Sequence, residues 1–272
     1  MSFVKRIIRF FFGKKRFDNF ISINESTRLN RAFLKKIKIK GKNNRIEIKC
    51  DFKKNTNAHI AIYGNNNIIV FSYASDQKNL NIHITGDKNV INIKDVSFFN
   101  SSICIVGNNN SFMLDKTANV VSGAEFYIAD GSSVVIEKNC EIGNGKLSLI
   151  ANGCYNASNK IFIGEGTHIA TDAINRNSDG ECLTDGENGR PLSKPKDVII
   201  GKHCWITSRC TILKGTELPF GTIVAANSLV NKKFVQKNTV IGGVPAKILK
   251  TEVFWKEGSY KDNMIKYEKG EN

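Results

Sequence analysis

The chain has no CxxC pair among its seven cysteines, no uninterrupted apolar stretch of bilayer length and only four histidines. Each shortage excludes something. Cys50, Cys104, Cys140, Cys154 and Cys182 show no metal-ligand spacing, so no metal is expected. An odd cysteine count without a secretory signal reads as reduced thiols in a cytoplasmic protein. In residues 2–17, Val4, Ile7, Ile8, Phe10, Phe11 and Phe12 alternate with Lys5, Arg6, Arg9, Lys14, Lys15 and Arg16, which is too interrupted to span a bilayer or to act as a signal. That segment fits a peripheral contact with anionic membrane at the inner face of the cell, or a short capping helix whose basic face is solvated.

Acidic residues are also scarce: 25 against 40 basic ones, for a net charge of +15. No recognition helix, zinc-finger spacing or aromatic RNA-binding signature accompanies this charge, so nucleic acid is not the expected partner. Polyanionic glycan, coenzyme phosphates or anionic lipid suit it better.

What the chain does have is a period of six. Ile200, Ile206, Ile212, Leu218, Val224 and Val230 follow one another at that spacing, and the residues four further on, Cys204, Cys210, Thr216, Thr222 and Ser228, are all small. An amphipathic helix repeats at 3.6 and a half-buried strand at two. Six implies a prism of three short strands per coil, eighteen residues around, with residues 200–217 and 218–235 stacked, the large side chains inside and the small ones at the corners. The expected class is therefore all-β, a parallel β-helix with short helical or irregular appendages at both ends.

A looser repeat precedes it. Gly41, Gly64, Gly86 and Gly107 are spaced by 23, 22 and 21, and each is followed three residues later by an asparagine: Asn44, Asn67, Asn89 and Asn110. Both residue types tolerate left-handed backbone at tight corners, and stacked asparagines can hydrogen-bond along a column, so the N-terminal half is expected to be solenoid too. His59 and His83 fall at outward strand positions. The expected organisation is a basic segment over 1–36, β-helix over 37–250 and a C-terminal cap over 251–272. The register fails between Ile169 and Ile200, 31 residues apart, so a polar loop over 171–197 interrupts the coils. Such a loop, freed from packing, is a natural place for chemistry.

The segments VIIGKHCWITSRCTILKG (198–215) and VIGGVPAKILK (240–250) resemble the left-handed β-helix acyltransferases of the hexapeptide-repeat superfamily, in the branch that acetylates sugar hydroxyls. The resemblance is close over about residues 161–250. It implies an acetyl-CoA-dependent O-acetyltransferase, a homotrimer, acting on a saccharide by direct transfer: a surface polysaccharide, its precursor or a nucleotide sugar. An N-acetyltransferase of an amino sugar, or a weakly catalytic glycan-binding scaffold, is the alternative.

The family's catalytic base is a histidine in a Ser-Asp-x-His turn, and here the turn reads Ser178, Asp179, Gly180, Glu181. Three readings stay open. Glu181 serves as the base, with Asp179 beside it; a carboxylate is ionised at neutral pH but is a weaker base than imidazole. Alternatively His168, or a histidine of a neighbouring subunit, reaches the site; or the chain binds its ligands and does little chemistry. The resemblance also carries Ser208, Ala226, Lys232 and Lys247 to positions lining the coenzyme groove, and Trp205, with Arg176 nearby in the loop, to the acceptor side. His203 falls at a turn and reads as surface structure.

Overall fold

The structure, a computed structural model, describes residues 6–9, 19–23, 36–49, 57–72, 77–152 and 159–258. Among these, the strands make three sheets, called here sheets 1, 2 and 3, of ten, nine and six strands. Pairing is parallel throughout, except in an antiparallel pair at each end, Arg6–Arg9 with Phe20–Ile23 and Val240–Gly243 with Ala246–Lys250. From Ser133–Ile136 onward, each complete coil runs from sheet 1 through sheet 3 to sheet 2 and back. Among the described residues no helix is long and apolar enough to cross a membrane.

The period of six produces the C-terminal coils. Ile200 lies beside Leu218, Ile206 beside Val224 and Ile212 beside Val230, one eighteen-residue step apart, and all six side chains are buried. The small residues are buried at the corners, where their polar atoms meet carbonyls: Thr222 Oγ1 donates to Pro219 O at 2.9 Å, Ser228 Oγ to Ala225 O at 2.6 Å, and Cys210 Sγ to Ala225 O at 3.2 Å. Burial pushes the Cys204 thiol up to about 11 and the Cys140 thiol up to about 12, so both stay protonated and inert.

The N-terminal coils are wider. A strand such as Val90–Lys94 in sheet 1 is followed by a nine-residue strand, Phe98–Val106, in sheet 2. The long strand bends at Asn100, whose φ is 47°, and the neighbouring strands bend at Asn79 and Gly123 with φ of 57° and 66°. One bent strand thus supplies two sides of the prism, and sheet 3 begins only at Glu141–Ile142. The larger section is filled by larger side chains: Phe71, Phe98, Phe112 and Phe126 are all fully buried in this half.

Two boundaries differ from expectation. The solenoid does not start at 37: Phe20–Ile23 pairs in parallel with Arg45–Ile48, Ile21 is buried, and the Asn44 amide N–H donates to Asn19 Oδ1 at 2.9 Å. Within the basic segment, Arg6–Arg9 and Phe20–Ile23 are strands rather than helix. The membrane contact expected of residues 2–17 falls mostly outside the described residues. At the other end, residues 251–257 do not simply close the last coil. They turn back along the outside of sheet 3, where the Trp255 ring stacks on His203 at 4.3 Å, one coil or more before the end.

Candidate active site

The expected loop is shorter than 171–197. Asn175 follows Ile169 by six and takes the inward position of a further coil, buried between Leu149 and Ile212 of the adjacent strands. The coil therefore continues through Ile174–Arg176, and the excursion leaves the corner between sheets 2 and 1 only at Asn177. Within it, residues 183–192 form a hairpin, with Leu192 N–H donating to Leu183 O and Asp185 N–H to Arg190 O, both at 2.8 Å.

The base of the excursion is tied down by charge. Arg176 donates from Nε to Ser178 O and from Nη2 to Asp179 O, both at 3.0 Å. The Asp179 carboxylate accepts from Lys214 Nζ and Ser193 Oγ, and Lys214 also reaches Ser193. The Lys214 hydrogen bond, then that of Ser193, holds the Asp179 carboxyl below the usual carboxylate range. The Asp179 carboxylate is thus engaged in holding the base of the excursion. Glu181, two residues on, is exposed, and no described residue pairs with it. The Ser-Asp-Gly-Glu turn presents a free carboxylate on an anchored base.

His168 stands elsewhere, on the outer face of sheet 3 with Glu141 on one side and Trp205 on the other. Its Nδ1 is 3.1 Å from a Glu141 carboxylate oxygen and its Nε2 is 2.9 Å from one of Glu257, the latter out of line for a hydrogen bond. The Trp255 ring meets it edge-on at 4.7 Å. Trp205 is 40% exposed, with its ring 5.9 Å from that of Trp255. His203, at a turn as expected, exchanges hydrogen bonds with Trp255: the indole Nε1 donates to His203 O at 2.8 Å, and the imidazole Nε2 lies 3.1 Å from Trp255 O. The sequence offers Trp255 only as a packing anchor of the tail and does not single out Glu257, because the tail has no repeat to place either residue.

The remaining candidates sort by corner. Ser208 and Ala226, eighteen apart, stack at the corner between sheets 3 and 2, where Asn227 N–H donates to Ser208 O at 3.1 Å. The terminal hairpin, with an exposed Lys247, is pinned at the same corner by Gly243 N–H donating to Ser228 Oγ at 3.1 Å. Lys232 is not with them. It lies eighteen residues after Lys214, at the corner between sheets 2 and 1 below the excursion. Lys214 could have been found by that count.

No family model matches the chain. It is 31% identical over 201 residues, 66% of its own length and 91% of the relative's, to a polysialic acid O-acetyltransferase of Neisseria meningitidis. The solved structure of the polysialic acid O-acetyltransferase OatWY superposes with a TM-score of 0.56 at 27% identity, covering 83% of this chain and 93% of that one. The polySia-specific acetyltransferase NeuO shares the fold, with a TM-score of 0.59 at 22% identity over 82% and 83% of the two chains. With the hexad coils and the Gly-Val-Pro-Ala-Lys hairpin, these likenesses place the chain in the left-handed β-helix acyltransferases of the hexapeptide-repeat superfamily, in the branch of saccharide O-acetyltransferases.

Proposed function

We propose that the protein transfers the acetyl group of acetyl-CoA to a hydroxyl of a bacterial surface polysaccharide, with Glu181 as general base. The observation that carries this reading is the anchored excursion, in which Arg176, Asp179, Ser193 and Lys214 fix a turn whose one free ionisable side chain is Glu181. The Glu181 carboxylate takes the hydroxyl proton while the sugar oxygen attacks the thioester carbonyl; the carbon–sulfur bond then breaks and coenzyme A leaves as its thiol after taking up a proton. Ser208, Ala226 and Lys247 share the corner suited to the pantetheine arm, and the exposed lysines suit its phosphates.

Within one chain the Glu181 excursion and the Trp205 face lie on opposite parts of the prism. A homotrimer would bring one subunit's excursion against a neighbour's sheet 3, completing the site with Trp205 as a flat surface for the sugar ring. His168, flanked by two carboxylates and roofed by Trp255, is poorly placed to abstract a proton.

Release of coenzyme A thiol in the presence of saccharide acceptors tests the reading. Glu181→Gln lowers turnover by about a hundredfold or more, with coenzyme affinity unchanged, and Glu181→His retains activity. Wild-type turnover in Glu181→Gln, together with its loss in His168→Ala, would transfer the role to His168.

A further inference from the structure

We infer that the outer face of sheet 2 is a binding strip for an extended anionic polysaccharide, running along the solenoid axis to the excursion that carries Glu181. The inference rests on the saccharide reading above and extends it from one sugar to the polymer.

Charge distinguishes this face. On sheet 1, Arg45 and Lys49 are both held by Glu47, and Lys94 by Asp115 at 3.1 Å. Beyond the bend of the sheet 2 strands, the described side chains Lys38, Lys40 and Arg176 stand against a single carboxylate, Glu125, and none of them forms an ion pair. Lys38 and Lys40 are exposed. These cations are left without a neutralising carboxylate.

Register aligns these groups. Lys38, Ala61, His83, Cys104, Tyr127, Ile150 and Arg176 lie side by side on successive strands. Six steps at about 4.8 Å each make a row of about 29 Å, long enough for several sugar residues and far longer than one acceptor site needs. In the next row Lys40 sits 5.5 Å over the Tyr63 ring, and that ring lies 5.4 Å from His83. Aromatic faces take the C–H faces of sugar rings while cations pair with carboxylates, a combination a neutral glucan would only half use. The row ends at Arg176, which is itself bonded to the backbone of the Ser178–Asp179 turn. A polymer lying on the strip would be led to the reacting carboxylate.

The test is calorimetry of the full chain with long and dimeric fragments of polysialic acid, polygalacturonate, neutral dextran and a single-stranded RNA. A long anionic glycan is expected to bind, dextran not, and the affinity to fall about tenfold when Lys38, Lys40 and His83 are all changed to alanine, and again when salt is raised. These side chains are exposed, so the variant's melting should match the parent's. Unchanged affinity in the triple variant, no binding of either polyanion, or RNA binding as tight as glycan binding would each overturn the strip. Coenzyme A binding and acetyl transfer to a short acceptor report on the enzyme itself. If they hold in the triple variant while polymer affinity does not depend on it, the strip alone is wrong.

Discussion

The two halves of the solenoid turn their corners by different chemistry. In the C-terminal coils each corner is filled by one small residue bonded to a nearby carbonyl, as Thr222 is to Pro219 O. In the N-terminal coils the corner is a continuous ladder. Asn67 Nδ2 donates to Asn44 Oδ1 at 3.0 Å and to Gly86 O at 2.9 Å, while its own Oδ1 accepts from the Asn89 backbone and side chain, both at 3.0 Å. Every polar atom of that buried side chain is used, and each asparagine joins coils on both sides. A hexad coil with a small corner closes in eighteen residues. A coil that must seat a buried asparagine and a tight glycine takes 21 to 23, and its wider section then requires phenylalanine. Corner chemistry thus sets coil length, and coil length sets core composition.

The largest expected effect attacks what both halves share. Ile212→Asp places a carboxylate in the apolar column with no partner and should cost several kcal/mol, enough to unfold the C-terminal coils. Because coils contact chiefly their neighbours, the wider half should then melt separately. A single unchanged transition in thermal circular dichroism would refute the continuous column.

Next comes a change that only the wider half should feel. A Cβ on Gly64 would sit 2.0 Å from Gly86 O, at a φ of 147° that L-residues rarely adopt. Gly64→Ala should therefore cost about 3 kcal/mol or more, through backbone displacement rather than lost contacts. Gly131→Ala is the control within the same half: nothing lies within 4 Å of its added Cβ, although its φ of 76° is also positive. It should cost about 1 kcal/mol, from the φ alone. Equal losses in the two variants would mean that stacking is not what the glycine column serves.

The hexads from Ile200 to Val230 and the asparagines from Asn44 to Asn110 were legible because each repeat forces one residue type into one environment. Legibility stopped where type and environment part. Asn19 heads the ladder, but Arg16 stands three residues before it where the later coils have glycine, so the pattern hid it. Asn175 is polar at an inward position, which made the coil seem to end early. Membership of a corner follows from counting eighteen, as for Ser208 with Ala226. The Asp179–Lys214–Ser193 knot and the packing of Trp255 on His203 depend on how an excursion and a tail fold back, which no period encodes.

The smallest expected effect sharpens the contrast most, because it concerns coupling rather than size. Asn89→Ala should cost about 2 kcal/mol, since it removes the Oδ1 that accepts from the buried Asn110 backbone and side-chain N–H, both at 2.9 Å, and breaks its own donations to Asn67 Oδ1 and Gly107 O, both at 3.0 Å. Once the ladder is interrupted, Asn67→Ala removes a side chain that has already lost a partner, so the double variant should be less destabilised than the sum of the singles by about 0.5 kcal/mol or more. Thr216→Ala and Thr222→Ala should each cost about 1 kcal/mol and add within error, because Thr216 bonds to Val230 O and Thr222 to Pro219 O with no atom in common. Urea titrations of both double-mutant cycles measure the two coupling energies directly. Equal coupling in the two halves would show that the asparagines act singly and that the ladder is no more than a row of separate corners.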